Sequence, residues 1–325
     1  MKKLITVLAI AFSGALFGVP MVESLGDLKK IEARVKAVVE TRTDCTVSLV
    51  ATELGASGSG VIVSADGLIL TAAHVVEGSR EMTVIFPNGS QAKAKVLGAN
   101  YNRDAAMAKL VGEGPWPFAE VGDSSTLEVG DFVVAMGHPK GYDPTRRPPV
   151  RFGRIMTKGD LEFVTTDCTL IGGDSGGPLF DLDGRVIGIH SHIAPDRQVN
   201  NHAGVTGFKS CWEKMLAGKT WGTLGGNGRD PSRPVLGLLL ASGEGGLRVR
   251  EARQGSPAFA AGIRTGDLVV EIANLEISDP DRLDNLFADY QAGEKVPVII
   301  YRDGKEERKT VTLGRLGKIY ETYRR

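Results

Sequence analysis

Three short motifs place a histidine, an aspartate and a serine in that order along one chain. His74 ends Thr71-Ala72-Ala73-His74, Asp104 opens Asp104-Ala105-Ala106-Met107, and Ser175 lies within Gly172-Gly173-Asp174-Ser175-Gly176-Gly177-Pro178. Each is ordinary by itself; the set, with each member beside an apolar run, is specific. A serine hydroxyl is a poor nucleophile until a base removes its proton, so Ser175 needs His74 within hydrogen-bond reach. A neutral imidazole has two tautomers, and a buried carboxylate on its other nitrogen selects the useful one, a part open to Asp104. The glycines around Ser175 let the backbone coil so that the amides of Gly173 and Ser175 meet at one point, where a tetrahedral oxyanion would form. This is equipment for nucleophilic acyl transfer, and it needs no cofactor and no metal.

The elements that must hold these residues are short. Gly-Val-Ile-Val at 60–63, Leu-Ile-Leu-Thr at 68–71, Met82 to Phe86 and Phe132 to Ala135 read as strands. Ala65-Asp66-Gly67 and Pro87-Asn88-Gly89 between them read as hairpin turns. Of the 325 residues, 42 are glycine, about 13% against a usual level of about 7%. Such a chain is mainly β, an antiparallel barrel or sandwich up to about residue 208, and not a helix bundle. A helix is predicted ahead of it, from a Ser24-x-x-Asp27 capping box through Leu25, Leu28, Ile31, Val35, Val38 and Val39. Another is predicted from Lys209 to Ala217, closing at Gly218. Residues 222–234 hold four glycines and two prolines and read as a linker. Beyond them lies a smaller α+β unit, with a helix capped by Asp279 and started by Pro280, whose buried face is Leu283, Leu286, Phe287 and Tyr290. Val296, Val298 and Ile300 alternate as a strand that turns at Arg302-Asp303-Gly304-Lys305. No repeat of solenoid period occurs.

Charge and composition narrow the possibilities further. Lys plus Arg and Asp plus Glu both total 39, and the balanced charge argues against a nucleic-acid partner. Cys45, Cys168 and Cys211 are too few and too scattered for a disulfide framework, and read as small buried hydrophobes. Lys2 and Lys3 precede an apolar run from Leu4 to about Val22, the layout of a secretory signal, with small residues at Ser13, Ala15 and Ser24. Export to the periplasm or beyond is therefore expected, residues 1–24 being either a cleaved signal or a retained membrane anchor.

Residues 45 to about 217 resemble a trypsin-like protease domain of the HtrA (DegP-like) family. The likeness rests on Gly58-Ser59-Gly60-Val61-Ile62-Val63, Leu70-Thr71-Ala72-Ala73-His74-Val75, Val121-Gly122-Asp123-Ser124, Ala135-Met136-Gly137-His138-Pro139 and Gly188-Ile189. The resemblance implies two six-stranded barrels with His74, Asp104 and Ser175 in the cleft, assembly as a homo-oligomer, commonly a trimer, and attack on unfolded polypeptides in the bacterial envelope. Residues 234–315 resemble one PDZ domain, in which Val235-Leu236-Gly237-Leu238 would bind a C-terminal carboxylate and the following strand the peptide backbone. The implied division is a helix over 25–44, the protease domain over 45–221, a linker over 222–233, the PDZ domain, and a tail over 316–325.

The likeness also assigns Ser191 a hydroxyl bond to Asp104, with His190 and His192 lining the cleft or the surface and holding no metal with His202. Thr169, Leu170 and Ile193 would form an uncharged, apolar and shallow specificity pocket suited to small or medium aliphatic residues such as valine, alanine or leucine. Two positions depart from the family. Asp174 stands where HtrA sequences usually have asparagine; digestive relatives pair that aspartate with a new N-terminus, a partner this chain, with over twenty residues ahead of the barrel, is not expected to supply. Gly172 replaces a proline, which loosens the oxyanion loop and suggests an equilibrium of loop states. The expected activity is that of an ATP-independent, PDZ-regulated serine endopeptidase. Its rivals are a peptide-binding chaperone whose triad is rarely assembled and a membrane-held protease with one signalling partner.

Overall fold

The computed structural model describes residues 22–51, 56–159, 162–193, 200–224, 231–279 and 282–317. The expected signal or anchor, the middle of the linker, Pro280 and most of the tail lie outside the described residues. Helix α1 (Leu25–Arg42) begins at Ser24, whose Oγ accepts from Asp27 N and donates to the Asp27 carboxylate. Its apolar stripe is only half used: Val35 and Val38 pack on the first barrel, while Leu25 and Leu28 face solvent.

Strands β1 (Thr46–Ala51), β2 (Ala56–Ile62), β3 (Leu68–Thr71), β4 (Glu81–Ile85), β5 (Gln91–Asn100) and β6 (Ala105–Val111) pair antiparallel, and the β5–β6 pairing closes them into a barrel. Helix α2 (Ala73–Val76) follows β3. A second closed barrel runs β10-β11-β12-β9-β8-β7, from β7 (Phe132–Met136), β8 (Val150–Lys158), β9 (Phe163–Thr166), β10 (Pro178–Phe180), β11 (Val186–Ile193) and β12 (Asn200–Gly204). The turns at Gly67 and Gly89 have the left-handed φ that tight hairpins demand. One apolar core fills the first barrel and reaches Phe180 and Phe208; a second fills the other barrel around Val133, Ile155 and Leu179. The helix after the barrels begins earlier than expected and is broken in two, α3 (Val205–Ser210) and α4 (Trp212–Leu216), because Cys211 leaves helical geometry. Strand β13 (Thr220–Trp221) then adds parallel to β5.

The C-terminal unit contains β14 (Pro234–Val235), β15 (Leu238–Gly243), β16 (Gly246–Ala252), α5 (Pro257–Ala260), β17 (Leu268–Ile272), β18 (Leu275–Glu276), α6 (Arg282–Phe287), β19 (Lys295–Arg302), β20 (Lys305–Thr312) and β21 (Gly314–Arg315). Its main sheet runs β15-β16-β17-β19-β20, so β15 is an edge, and β18 pairs with β17. Leu283, Leu286, Phe287 and Tyr290 pack on its core, as their spacing predicts.

This unit docks on the first barrel through the residues that follow α6. Ala288 O accepts from Trp221 Nε1 at 2.9 Å, and Asp289 O accepts from Lys214 Nζ at 2.6 Å. The Asp289 carboxylate takes Arg103 Nε at 2.7 Å and Nη2 at 3.0 Å. Among the described residues, no helix is long and apolar enough to cross a membrane.

Candidate active site

His74, Asp104 and Ser175 come from three separate elements. His74 is the second residue of α2, Asp104 precedes β6, and Ser175 lies in the loop before β10. Asp104 sits at φ 51°, a left-handed backbone that aspartate tolerates better than most residues. Its Oδ2 lies 2.9 Å from His74 Nδ1, and its Oδ1 also accepts from His74 N at 3.0 Å, which fixes both ring and backbone of the histidine. Ser191 Oγ donates to Asp104 Oδ2 at 2.5 Å. A carboxylate at Nδ1 makes that nitrogen the N–H donor, leaving Nε2 as the acceptor. Burial pulls the His74 pKa down, but the hydrogen bond and charge of Asp104 outweigh it, and the net shift is upward from 6.5. The Ser175 hydroxyl donates to Ser191 O at 3.3 Å, and among the described residues it makes no hydrogen bond to the imidazole.

The loop ahead of Ser175 is a turn closed by Asp174 N donating to Ile171 O at 3.0 Å, with Gly173 at φ 99°. That left-handed value at the third position is the requirement of a type II turn. A Cβ on Gly173 would also lie 2.5 Å from Lys140 N, so only glycine fits. Gly172 O accepts from Lys140 N at 2.7 Å, which directs the Gly173 N–H the opposite way in a planar trans peptide. Among the described residues, the amides of Gly173 and Ser175 have no protein acceptor.

Ser59 of β2 grips this loop twice. Its N–H donates to Ser175 O at 2.7 Å and its hydroxyl to Gly173 O at 2.8 Å, while the same oxygen accepts from His138 N. Sequence reasoning quoted Ser59 within a motif and assigned it no task.

Asp174 is fully buried, and its partner is Arg151 of β8, in place of the chain terminus that serves in digestive relatives. Burial raises its carboxyl above the ordinary 3.8, against the opposing pull of the Ile171 amide and Arg151. His190 departs from expectation: it lies inside the second barrel, its Nδ1 2.9 Å from His202 Nδ1 and its Nε2 on Met136 O. Burial drives His190 well below 6.5 and His202 down to about 3, so both are neutral. His192 is exposed, and among the described residues no three His, Cys, Asp or Glu side chains form a metal-ligand group. The three cysteines are unbridged and buried.

Of the residues assigned to the specificity pocket, Thr169 and Leu170 differ in burial. Thr169 is exposed, whereas Leu170 packs inside the second barrel and donates its N–H to Asn200 Oδ1 at 2.9 Å. Ile193 ends β11, and its side chain lies outside the described residues. Around the presumed carboxylate loop, Val235 pairs with Gly314, Leu236 is buried, Gly237 has φ 74° and Leu238 opens β15. Among the described residues β15 pairs with β16 alone, so its outer edge is open to an added strand.

Residues 58–189 match the family model of the trypsin-like peptidase domain, and residues 234–313 that of the PDZ domain. A protein of Pseudomonas savastanoi pv. phaseolicola described as "Probable periplasmic serine endoprotease DegP-like" is 33% identical over 278 residues, 80% of this chain and 56% of that protein. One of Rickettsia conorii with the same description is 32% identical over 265 residues, 77% of this chain and 52% of the relative. The chain thus spans little more than half the length of these curated relatives. Among solved structures, the HtrA-type protease AlgW with tripeptide superposes with a TM-score of 0.66 at 24% identity, covering 86% of this chain and 96% of that one. The serine endoprotease from Yersinia pestis gives 0.62 at 24%, covering 87% and 98%. With two closed six-stranded barrels followed by a smaller sheet, the chain carries a trypsin-like peptidase domain joined to a PDZ domain, the arrangement of the HtrA-type proteases it is similar to.

Proposed function

We propose that this chain is an ATP-independent serine endopeptidase acting on unfolded or misfolded polypeptides of the bacterial envelope, with activity regulated through its PDZ domain. The observation that carries the reading is the Asp104-held imidazole of His74 beside a serine turn whose two amides lack acceptors among the described residues. Rotation of the Ser175 side chain off Ser191 O brings its hydroxyl to His74 Nε2. His74 then takes the proton as Ser175 Oγ bonds to the scissile carbonyl carbon, and the oxygen that gains charge is received by the Gly173 and Ser175 amides. The protonated imidazole next gives its proton to the leaving amine, and water repeats the sequence to release the acid. The names of the relatives and the apolar run at 4–22 support a periplasmic site. The open edge of β15 supports binding of C-terminal peptides.

Ser175→Ala should lower turnover of an unfolded substrate such as casein by about 10⁶ while leaving the fold intact. A fluorophosphonate should label Ser175 and no other residue. Digestion that persists in the variant would sink the assignment. With no charge at Thr169, cut sites should follow aliphatic residues, and a majority after Arg or Lys would overturn that pocket reading. A second reading, a peptide-binding chaperone that rarely assembles its triad, is favoured by the Ser175 bond to Ser191 O. It requires that casein be protected from aggregation at full strength by Ser175→Ala and that wild-type labelling be negligible.

A further inference from the structure

Behind the oxyanion turn every oxygen of Asp174 is engaged. Arg151 Nη1 donates to Oδ1 at 3.1 Å and Nη2 to Oδ2 at 2.5 Å, while Ile171 N donates to Oδ2 at 2.9 Å. The Asp174 side chain is 0% exposed and that of Arg151 17%. Gly137 makes the room, since a Cβ there would lie 2.6 Å from Asp174 Oδ1. The bidentate pair therefore joins the second residue of β8 to the residue beside the nucleophile.

We propose that Arg151 is a positioning residue for catalysis, holding Asp174 so that the Ile171–Asp174 turn keeps the Gly173 and Ser175 amides aimed at the oxyanion. The proposal rests on the serine-endopeptidase reading above. A turn of this kind has a second form, in which the Gly172–Gly173 peptide is rotated and its N–H points elsewhere. Both residues are glycine, and a Cβ on Gly172 would meet nothing within 4 Å, so the two residues themselves oppose that rotation weakly, and the bond from Lys140 N to Gly172 O resists it from outside the turn. Asp174 adds a side-chain hold from within. Asp174 is the last residue of the turn, and its carboxylate holds the amide of the first, so it staples the two ends together. Arg151 fixes the rotamer that does so. Without the guanidinium the carboxylate is a buried, unpaired charge, and turning it out to water releases the staple.

The test compares full-length wild type with Arg151→Met, Asp174→Asn and the double Arg151→Met/Asp174→Asn on a chromogenic peptide. Each is also titrated with a peptidyl boronate, whose tetrahedral adduct sets an oxygen against the two amides. Arg151→Met should lose about a hundredfold in kcat, the scale of a lost oxyanion donor, and weaken the boronate in parallel. Its melting temperature should fall, because a buried carboxylate has lost its partner, while its affinity for a C-terminal peptide should remain near wild type. Asp174→Asn should lose less than about tenfold, because the amide oxygen still accepts from Ile171 and no charge is stranded. The double variant should recover at least about tenfold over Arg151→Met, the signature of a coupled pair. Wild-type kcat in Arg151→Met, undiminished boronate binding, or a folded double variant no better than the single would overturn the proposal. Should Arg151→Met not fold, Arg151→Lys keeps the charge without the fork and should lower kcat at unchanged KM; full kcat there would equally overturn it. A wild type with neither turnover nor labelling sinks the peptidase reading, whereas an active wild type matched by its Arg151 variants sinks the clamp alone.

Discussion

Two buried arginine–aspartate pairs flank the site, each next in sequence to a residue of the proposed triad. Asp174 precedes Ser175 and is held by Arg151, both within the second barrel; Arg103 precedes Asp104 and is held by Asp289 of the PDZ domain. Both are two-pronged, and both are shielded, with side-chain exposures of 17% and 0% in the first and 6% and 16% in the second. The difference lies in which domain supplies the partner. The partner of Asp174 comes from the protease domain itself, while Asp289, which holds Arg103 beside Asp104, comes from the PDZ domain. Asp104 itself has a left-handed backbone at φ 51°, and its carboxylate is held by His74 and Ser191. The same chemistry thus draws on one domain at one end of the proposed triad and on two domains at the other.

The largest effect should show this contrast directly. The loss of about a hundredfold in Arg151→Met should be the same with and without saturating C-terminal peptide, since a fixed support is blind to the PDZ domain. Full recovery on adding peptide would erase the distinction. Next, a peptide with a free carboxylate and an apolar last residue should activate the wild type by roughly 5- to 150-fold on a small substrate. Asp289→Ala should abolish that activation while leaving peptide affinity unchanged. Activation that survives Asp289→Ala would move the coupling to another contact.

A smaller effect lies in the pH profile. Only neutral His74 accepts the serine proton, so kcat/KM should be low in acid and rise through a midpoint above 6.5, the direction in which Asp104 moves this histidine. In Asp289→Ala the midpoint should fall toward 6.5, by less than about one unit, if Asp104 is drawn out of place. An unmoved midpoint would show that Asp104 holds its aim without Arg103.

The smallest effect concerns stability. All five histidines lie before residue 203, and burial lowers His138, His190 and His202. The unfolded chain takes up protons near pH 6.5 that the folded protease domain refuses, so its stability should fall as the pH drops from 6.5 toward 3. Between pH 7 and 5 the urea midpoint of the protease domain should decline while that of the histidine-free PDZ domain holds. Parallel declines would mean that the two domains unfold as one.

Much of this was legible in the sequence because it is local. Turn residues at Gly67, Gly89 and Asp303-Gly304 punctuate the strands, and His74, Asp104 and Ser175 each carry a recognisable neighbourhood. What stayed hidden is set by strand register between distant segments. Arg151 and Asp174 are 23 residues apart, Ser191 and Asp104 are 87, and Arg103 and Asp289 are 186. The barrel-interior place of His190 is not visible in the sequence, because the pairing of β11 with β12 slips between His190 and Ile193. The slip lets His190 sit in the barrel interior while His192, two residues on, is exposed. The first turns of α1 show the opposite fault: Leu25 and Leu28 keep helical spacing but have no surface beneath them.

Ser59 belongs to the first barrel, yet both of its bonds to the serine loop end on carbonyls of the second. Sliding of one barrel against the other would stretch the Ser59 bonds to Gly173 and Ser175, along with the His138 contact to Thr46 O that crosses the same seam. The serine loop is thus wired to the neighbouring barrel, and a force that wedges the seam apart reaches it through Ser59. A Ser59→Ala protein would keep the backbone wire and lose the hydroxyl one.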